Sequence, residues 1–545
     1  MEFDCLAPNE LPHVTRLYTA YLSGAKKLCE FYPHPPTLAA ISSVSRERKR
    51  ERRYSPEMRA AVANILARQN GDISPAGMHP AIERNLASFR EGAMAVVTGQ
   101  QAGLFGGPAY TFYKALTAIR LVQELHHRGV EAVPIFWIAS EDHDLAEVSA
   151  CDWLTSHGVE HLQWQAASPD VSGRSVGRVP LREEIVDLAR RAAESLEGPA
   201  CEEIAEALTT AYQPAETFGT AFAKLLRALT GRFGLILLDP LDAKLHELAA
   251  PLLERVVEQQ SALSSELAER GKRLERAGYH AQVKVGAAST LLFGTENGKR
   301  VAIRQKNGEF LLGETSADGA NLRRRINEDP AGFSPNALLR PVVQDTLLPT
   351  IAYVAGPAEI AYFAQSQVVY QHLGATMPVI VPRASFTLIG PYVERLIEKH
   401  SLDLRRDVLG GRQLLRKRLE LNSLPRGMTE KFQQGGEEIS EVLANLRKPI
   451  TKLDSTLGGA VDTASRKIIF QLQKLRAKTS RARDLRDGVL TRHEKIIRDA
   501  LYPSNHLQER VLSLLPFLAR HGADLLDVLA RHAGISTPAH QIARL

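Results

Sequence analysis

Cysteine is scarce in this chain, with four among 545 residues. Cys5, Cys29, Cys151 and Cys201 lie far apart, and no two of them form a C-x-x-C pair. This spacing argues against a disulfide framework and against a structural zinc site of the usual kind.

Long apolar runs and a targeting segment are also missing. No stretch reaches the roughly 18 apolar residues that predict a membrane-spanning helix. Residues 1–8 have neither the basic start nor the apolar core of a signal peptide. We therefore expect a cytoplasmic protein that does not enter a membrane.

Neither sign of charge dominates. The 68 basic and 62 acidic residues are interspersed and leave a net charge of +6, which suits anionic small molecules better than a nucleic-acid groove. The basic block at residues 46–53 is interrupted by Glu47 and Glu51 and has no aromatic side chain to stack on bases until Tyr54. A solvated helix face or turn is the better interpretation, and no nucleic-acid partner is predicted.

The chain is too long for one hydrophobic core and predicts roughly two to four domains. Residues 1–385 have the pattern of an α/β core with N-terminal helices and inserted segments. Residues 386–510 predict a helical, antiparallel coiled-coil domain, and residues 511–545 predict C-terminal helices that pack on the core.

The coiled-coil prediction depends on an apolar 4-3 spacing over residues 439–464. The positions are Ile439, Leu443, Leu446, Ile450, Leu453, Leu457, Ala460 and Ala464. Pro449 and Gly458-Gly459 inside the pattern leave open a kink or a break into two helices. Residues 472–497 are the candidate antiparallel partner.

Residues 94–144 predict one strand, crossover helix, strand unit of a doubly wound parallel sheet. Met94–Thr98 is short and apolar, as a buried strand should be, and a glycine loop follows it. Pro108 suits the first turn of the next helix, Gly129 suits its end, and Val133–Ile138 has the pattern of a second buried strand.

Further elements are predicted from periodicity and turn residues. They are helices over residues 1–90 and 183–232, a strand at 234–238, one helix over 243–277, strands at 282–293 and 299–304 joined by a hairpin turn, strands at 351–354 and 379–381, and terminal helices over 503–545.

The glycine loop after the first strand contains Gly99, Gly103, Gly106 and Gly107. It matches neither G-x-G-x-x-G nor G-x-x-x-x-G-K-[ST]. Its N–H groups, with the following helix N-terminus, could approach a phosphate or carboxylate closely. A turn that needs glycine for steric reasons alone is an equally good interpretation.

The second strand runs into the acidic cluster Ser140-Glu141-Asp142-His143-Asp144. Its carboxylates repel one another unless a cation, a metal or a basic substrate offsets them. His143 could be a general base, a metal ligand or a hydrogen-bond donor. The alternative is a solvated loop in which Asp144 caps a helix, and the spacing alone leaves a metal undecided.

Long motifs in the chain resemble the cysteine-adding enzyme family of bacillithiol biosynthesis. They are VTGQQAGLFGGPAYTFYKALTAIRL at 97–121, VPIFWIASEDHD at 133–144, and the segments 340–363, 377–385 and 502–510. The resemblance implies a Rossmann-like core with a coiled-coil domain, homodimerisation, and ligation of cysteine to glucosaminyl malate.

The implied chemistry is attack of an amine on the carboxyl group of cysteine. A carboxylate is a poor electrophile until it becomes an acyl phosphate or acyl adenylate, so ATP is a hypothesis. Asp142 or His143 would take a proton from the amine, while Asp144 would orient His143 or bind the ammonium group of cysteine. Lys114 and Arg383 are candidate cations for the anion at Gly103, Gly106 and Gly107.

Other candidate substrate-binding residues lie at strand ends or on the helix face of Glu359, Tyr362 and Gln365, which could instead be a satisfied buried network. The full candidate set is Gly99, Gln100, Gln101, Gly103, Gly106, Gly107, Tyr110, Lys114, Ser140, Glu141, Gln344, Asp345, Glu359, Tyr362, Gln365, Arg383 and Ser385. Two rival functions stay open: another nucleotide-dependent transferase on the same core, and a non-enzymatic coiled-coil scaffold.

Overall fold

A computed structural model describes residues 1–50, 54–74, 77–165, 171–286, 288–422, 424, 426–535 and 539–545. Residues 51–53 of the basic block and residues 536–538 of the C-terminal segment lie outside this description. No helix in the described ranges is long and apolar enough to cross a membrane.

The strands of the described residues belong to four sheets. They are β1 (Glu2–Leu6), β2 (Met94–Gln100), β3 (Ala132–Ile138), β4 (Ala150–Thr155), β5 (Gly158–Gln163), β6 (Ile236–Leu238), β7 (Ser289–Glu296), β8 (Lys299–Lys306), β9 (Glu309–Leu312), β10 (Thr315–Ala317), β11 (Phe333–Pro335), β12 (Thr350–Ala355), β13 (Val379–Pro382), β14 (Ser385–Ile389) and β15 (His540–Arg544).

The α-helices surround these sheets and form the arm. They are α1 (Arg16–Leu22), α2 (Leu38–Arg48), α3 (Pro56–Asp72), α4 (Pro80–Glu91), α5 (Tyr110–His126), α6 (Leu145–Val148), α7 (Glu184–Glu194), α8 (Cys201–Ala211), α9 (Phe218–Thr230), α10 (Ala243–Glu258), α11 (Gln260–Arg276), α12 (Gly319–Glu328), α13 (Arg340–Leu347), α14 (Pro357–His372), α15 (Pro391–Lys399), α16 (Arg412–Asn422), α17 (Arg426–Leu453), α18 (Gly458–Asp487), α19 (Val489–Leu501), α20 (Leu515–His521) and α21 (Leu525–His532).

The central sheet is parallel and has the strand order β13-β12-β2-β3-β6. The chain starts in the middle at β2, moves outward through β3 and β6, and then returns to add β12 and β13 on the other side. Leu116 of α5 clusters with Phe136, whereas Phe363 of α14 clusters with the next residue, Trp137. Successive strand residues face opposite sides of a sheet, so helices cover both faces and the predicted doubly wound fold is confirmed.

Burial on both faces explains why β3 is apolar throughout, since every residue from Ala132 to Ile138 is buried. The predicted strands at 351–354 and 379–381 are confirmed as parts of β12 and β13. The central sheet could therefore be predicted from its short apolar runs.

An antiparallel five-stranded sheet of order β10-β9-β8-β7-β11 is inserted before β12. The predicted hairpin between β7 and β8 is confirmed, and its turn residues Asn297 and Gly298 have positive φ angles of 51° and 75°. The single helix predicted over 243–277 is wrong, because the chain breaks at Gln259 into α10 and α11. These two helices pack against different partners, α10 on α12 and α13 and α11 on α14.

The two ends of the chain meet in a three-stranded sheet of order β1-β15-β14. β15 pairs antiparallel with β1 and parallel with β14. The helical predictions for residues 1–90 and 503–545 therefore each missed a strand. Both strands are completed by partners far away in sequence, which local periodicity cannot reveal.

Helices α17 and α18 form a two-helix arm. Arg447 pairs with Asp462 at 3.0 Å, and Leu472 lies near Gly436, so the helices run antiparallel. The 4-3 seam does not continue along one helix, because α17 ends at Leu453 and α18 begins at Gly458. Of the two possibilities, a kink or a break into two helices, the structure shows the break, between Leu453 and Gly458. Beyond the arm, α20 packs on α8 and α21 on α5; the three-part division of the chain stays a prediction.

Candidate functional site

Two adjoining cavities open at the carboxyl edge of the central sheet. The switch-point cavity, about 310 Å³, lies between the ends of β2 and β12, where the strand order reverses. The insertion cavity, about 830 Å³, lies between the end of β3 and the inserted sheet. Trp137, Ala139 and Arg340 line both cavities, so they share a wall. Doubly wound folds bind ligands at this edge, which makes the two cavities the candidate site.

Arg340, the first residue of α13, supplies a cation to the shared wall. Its guanidinium donates hydrogen bonds to Gln344 Oε1 at 3.0 Å and to the hydroxyls of Tyr362 and Tyr353 at 3.0 and 3.3 Å. No carboxylate of the described residues forms an ion pair with it. Burial opposes its charge, but the two tyrosines and Glu359 outweigh burial and hold the pKa of Arg340 above its ordinary value. A guanidinium without its own carboxylate is suited to bind a ligand carboxylate or phosphate.

Lys114 and Arg383, the predicted cations, already have carboxylate partners within the protein. Lys114 Nζ lies 2.5 Å from Glu359 Oε2 and donates to Gly99 O at 2.6 Å. Arg383 donates two hydrogen bonds to Glu509 at 2.7 and 2.9 Å. Both line the switch-point cavity, but their charges are compensated, so neither is the free cation that was expected.

The glycine loop uses its N–H groups internally. Those of Gly103, Gly106 and Gly107 all donate to backbone carbonyl groups of the loop. A Cβ atom on Gly103 would lie 2.9 Å from Gly107 Cα, and one on Gly106 would lie 3.0 Å from the ring of Phe112. This corrects the prediction that these three N–H groups hold an anion. The steric alternative applies instead: Gly103 and Gly106 are required by close packing, and Gly107 has a positive φ angle of 68°.

The residues before and after this loop do reach the switch-point cavity. Gly99, Gln100, Gln101 and Tyr110 all line it. Gln100 donates to the Tyr110 hydroxyl at 3.2 Å and accepts from Lys114 at 2.9 Å. The end of β2 and the start of α5 are thus joined by side-chain hydrogen bonds at the cavity wall.

Ser140 and Asp144 of the acidic cluster have structural partners. The buried hydroxyl of Ser140 donates to Asp239 and joins the end of β3 to the end of β6. Asp144 Oδ1 accepts the N–H of Glu147 at 3.2 Å and caps α6. Neither residue lines the two cavities. Capping therefore replaces the predicted roles of Asp144 in orienting His143 or binding an ammonium group.

Asp142 and His143 line the insertion cavity, but their acceptor atoms are engaged. Asp142 Oδ1 accepts the N–H of His143 at 2.7 Å, and Oδ2 accepts the amide of Gln101 at 2.6 Å. Arg300 Nη1 lies 3.3 Å from Nδ1 of His143, and a guanidinium can only donate. Since the Nδ1 lone pair is used, this geometry counts against His143 as the proton acceptor.

Glu141 differs from its neighbours because it is buried and faces the insertion cavity. His246 of α10 lies behind it, with Nε2 3.6 Å from Glu141 Oε1. The described residues contain no group of three or more His, Cys, Asp or Glu side chains arranged to hold a metal ion.

The predicted polar face of α14 divides between two environments. Glu359 and Tyr362 line the switch-point cavity. Glu359 accepts from the Tyr353 hydroxyl and from the N–H of Gly356, both at 2.7 Å. Gln365 instead exchanges hydrogen bonds of 2.9 and 2.8 Å with the backbone of Val283. The buried-network alternative thus applies to Gln365.

Gln344 and Asp345 are buried behind Arg340 and line neither cavity. Gln344 donates to Asp345 Oδ1 at 2.9 Å, and Asp345 also accepts from the hydroxyl of Tyr370. They support the position of Arg340 and do not contact a ligand in either cavity, which corrects their place in the predicted substrate set.

Ser385 lies in a third cavity of about 300 Å³ that adjoins the switch-point cavity at Arg383. Its hydroxyl donates to Glu509 at 2.8 Å, and it lies 2.6 Å from Nδ1 of His540. The switch-point cavity does not include Ser385.

We expect the buried His540 to make folding less stable at acidic pH. Burial lowers its pKa from 6.5 to about 4. Because the unfolded chain takes up the proton first, the stabilisation is complete above pH 6.5 and is lost as the pH falls through about 4. The shift corresponds to about 3 kcal/mol. Urea unfolding between these pH values should show a smaller loss for His540→Gln than for the wild type; equal losses would contradict this assignment.

Trp137, His246, Arg300 and Arg340 at this site were not predicted from the sequence. Arg340 begins one of the segments that carry the family resemblance, and Trp137 lies within another. Arg300 and His246 had no local signal, because the inserted sheet and α10 bring them to the site only in the folded chain.

Taken together, the fold and site define a Rossmann-like α/β protein with two small-molecule cavities at its switch point and a helical arm. Residues 1–384 match the family described as "Bacillithiol biosynthesis BshC, N-terminal Rossmann-like domain", and residues 386–545 match its "C-terminal coiled-coil domain". The chain belongs to this bacillithiol biosynthesis family.

Full-length relatives agree with this assignment. Three proteins named "Putative cysteine ligase BshC" come from Koribacter versatilis, Solibacter usitatus and Salinibacter ruber. They are 40%, 38% and 32% identical to this chain, and the alignments cover 99%, 96% and 98% of it. The alignments also cover 99%, 96% and 97% of the relatives themselves.

Proposed function

We propose that this protein is a cysteine ligase that joins the carboxyl group of cysteine to the amine of glucosaminyl malate, the last step of bacillithiol biosynthesis. Membership of the family and the names of the relatives support the reaction class. The observation that carries the proposal is Arg340, which lines two adjoining cavities at once. A ligase needs two substrates to meet, and this arrangement provides a common boundary for them.

The insertion cavity is suited to the acceptor. Four basic side chains line it, from Lys284, Arg300, Arg304 and Arg340, against the two carboxylates of Glu141 and Asp142. Glucosaminyl malate carries two carboxylates, and arginine forks bind carboxylates with defined geometry. Its sugar ring could lie on the apolar wall that Trp137 and Phe293 provide.

The switch-point cavity is suited to the activated end of cysteine. ATP is part of the proposal as the source of activation, since it converts the carboxyl group into an acyl phosphate or acyl adenylate. Arg340 and Arg510 line this cavity, and neither forms an ion pair with a carboxylate of the described residues. The N-termini of α5 and α14 lie at the same edge of the sheet, where their partial positive charge favours anions.

Homodimerisation and a cytoplasmic location complete the proposal. Several large apolar side chains of the arm are exposed in the single chain, which supports self-association. They include Val442, Leu446, Leu453, Phe470 and Leu475.

The test is a mass-spectrometric assay of the purified protein with glucosaminyl malate, cysteine and Mg-ATP. We expect the condensation product only when nucleotide is present. AMP as coproduct would identify an adenylate and ADP an acyl phosphate. Other amine acceptors, assayed in parallel, separate this ligase from a different nucleotide-dependent transferase. Absence of product with every nucleotide would refute the proposal and favour the scaffold alternative.

A further inference from the structure

We propose that Glu141 is the general base of amide formation and that His246, buried behind it, is the residue that positions the Glu141 carboxylate. This inference rests on the proposed ligase function and extends it, because the sequence had suggested Asp142 or His143 for the proton transfer. It is based on the contacts of the carboxylates that line the two cavities.

Glu141 is the carboxylate whose lone pairs remain open. Asp142, Glu147 and Glu359 each accept at least one hydrogen bond from the protein. Among the described residues, none donates a hydrogen bond to the side chain of Glu141. Glu141 is only 8% exposed, and it lies at the wall of the insertion cavity. A buried carboxylate with open acceptor sites can accept a proton from a substrate in that cavity.

His246 directs its Nε2 atom toward this carboxylate. Nδ1 of the ring lies 3.0 Å from the carbonyl oxygen of Phe333, which can only accept, so Nδ1 carries a proton. Nε2 is buried without a hydrogen-bond partner, and it lies 3.6 Å from Glu141 Oε1. When Nε2 also carries a proton, the ring places a positive charge beside Glu141 Oε1, which holds the carboxylate in place and lowers its pKa. α10 and β11 thus hold the ring with Nε2 facing Glu141.

Burial and the charges around Glu141 act on its pKa in opposite directions. Burial raises its pKa above the ordinary value, whereas His246, Arg300 and Arg340 oppose the rise. Asp239, on the adjoining strand end, adds to the rise. A raised carboxylate pKa brings the base closer to the pH at which proton transfer is efficient.

The proton balance of the step is complete. The neutral amine of the acceptor attacks the acyl carbon of activated cysteine, and the new C–N bond forms as the bond to the activating phosphate oxygen breaks. That oxygen leaves with the electron pair as AMP or inorganic phosphate. The amine nitrogen becomes positively charged and loses one proton to the Glu141 carboxylate.

The test compares Glu141→Gln, Glu141→Asp and His246→Gln with the wild type in the ligation assay over a range of pH. Glu141→Gln should lower kcat by about 10²- to 10⁴-fold with little change in KM, because the side chain keeps its shape and loses its basicity. Glu141→Asp retains a charge but withdraws the carboxylate from the cavity, so it should also lower kcat. Matched controls are Glu160→Gln and His161→Gln, which lie on the surface of β5 outside both cavities.

His246→Gln provides the readout that a merely structural role would not change. Removal of this histidine removes an influence that lowers the pKa of Glu141, so the acidic limb of the kcat profile should move to higher pH. The wild-type limb should be absent in Glu141→Gln.

Three outcomes would overturn the inference. The first is a folded Glu141→Gln or Glu141→Asp enzyme with kcat within threefold of the wild type. The second is a His246→Gln enzyme with reduced thermal stability and an unmoved acidic limb. The third is a wild-type protein that makes no product, which refutes the ligase function itself. In the first two outcomes the wild type is active, so the ligase function stands and only the role of these residues fails.

Discussion

Arg340→Met should lower kcat/KM for ligation by roughly 10²- to 10³-fold, the loss typical when one preorganised donor to a developing charge is removed. Arg340 is the guanidinium shared by both cavities, and no described carboxylate neutralises it. Its loss should weaken the binding of an anionic group and disturb the boundary where the two substrates meet. Steady-state kinetics with each substrate varied in turn will separate effects on KM from effects on kcat.

Two further variants define what this result means. Arg340→Lys keeps the positive charge but loses the planar guanidinium group that donates to both Tyr362 and Gln344. The activity of this variant should therefore fall between those of the wild type and Arg340→Met. Arg323→Met, at an exposed ion pair with Glu258, is the control for loss of an arginine elsewhere. If Arg340→Met were as active as that control, Arg340 would not be part of the site.

Glu509→Ala should reduce the free energy of unfolding by about 3–5 kcal/mol, the cost of leaving a buried charge without its partner. Glu509 accepts from Arg383 at 2.7 and 2.9 Å, from Ser385 at 2.8 Å and from the N–H of Phe386 at 3.0 Å. Both members of the ion pair are almost fully buried. The pair also connects the residues after β13 to the segment after α19. Urea-induced unfolding at neutral pH measures the change.

The double variant Arg383→Met with Glu509→Ala separates the charge effect from lost packing. It removes both charges and should therefore be more stable than Glu509→Ala alone. Glu197→Ala, at the more exposed pair with Arg520, should cost less than about 1 kcal/mol. An equal cost at Glu509 and Glu197 would mean that the buried pair contributes no more than a surface contact.

The sequence by itself determined the central sheet. Its strands are short apolar runs because helices cover both of their faces, and the turn residues between β7 and β8 are visible as Asn297-Gly298. The location of the candidate site at the ends of β2 and β3 was also predictable, since parallel α/β sheets bind ligands at their carboxyl edge. The long motifs at 97–121 and 133–144 indicate the family without any tertiary contact.

Only the tertiary structure decided which polar residues of that edge remain free. The sequence offered several candidates for binding or catalysis there: the glycine N–H groups, Lys114, Arg383 and Asp142. In the folded chain each of them forms a hydrogen bond or an ion pair with another group of the protein. These partners come from other elements or from loop geometry, which sequence spacing does not encode. The pairing of β1 with β15 and the meeting of Glu141 with His246 depend on contacts between residues distant in the chain. Local periodicity indicates which face of a helix or strand is buried. The hydrogen-bond or ion-pair partner of a buried polar group depends instead on how the whole chain packs.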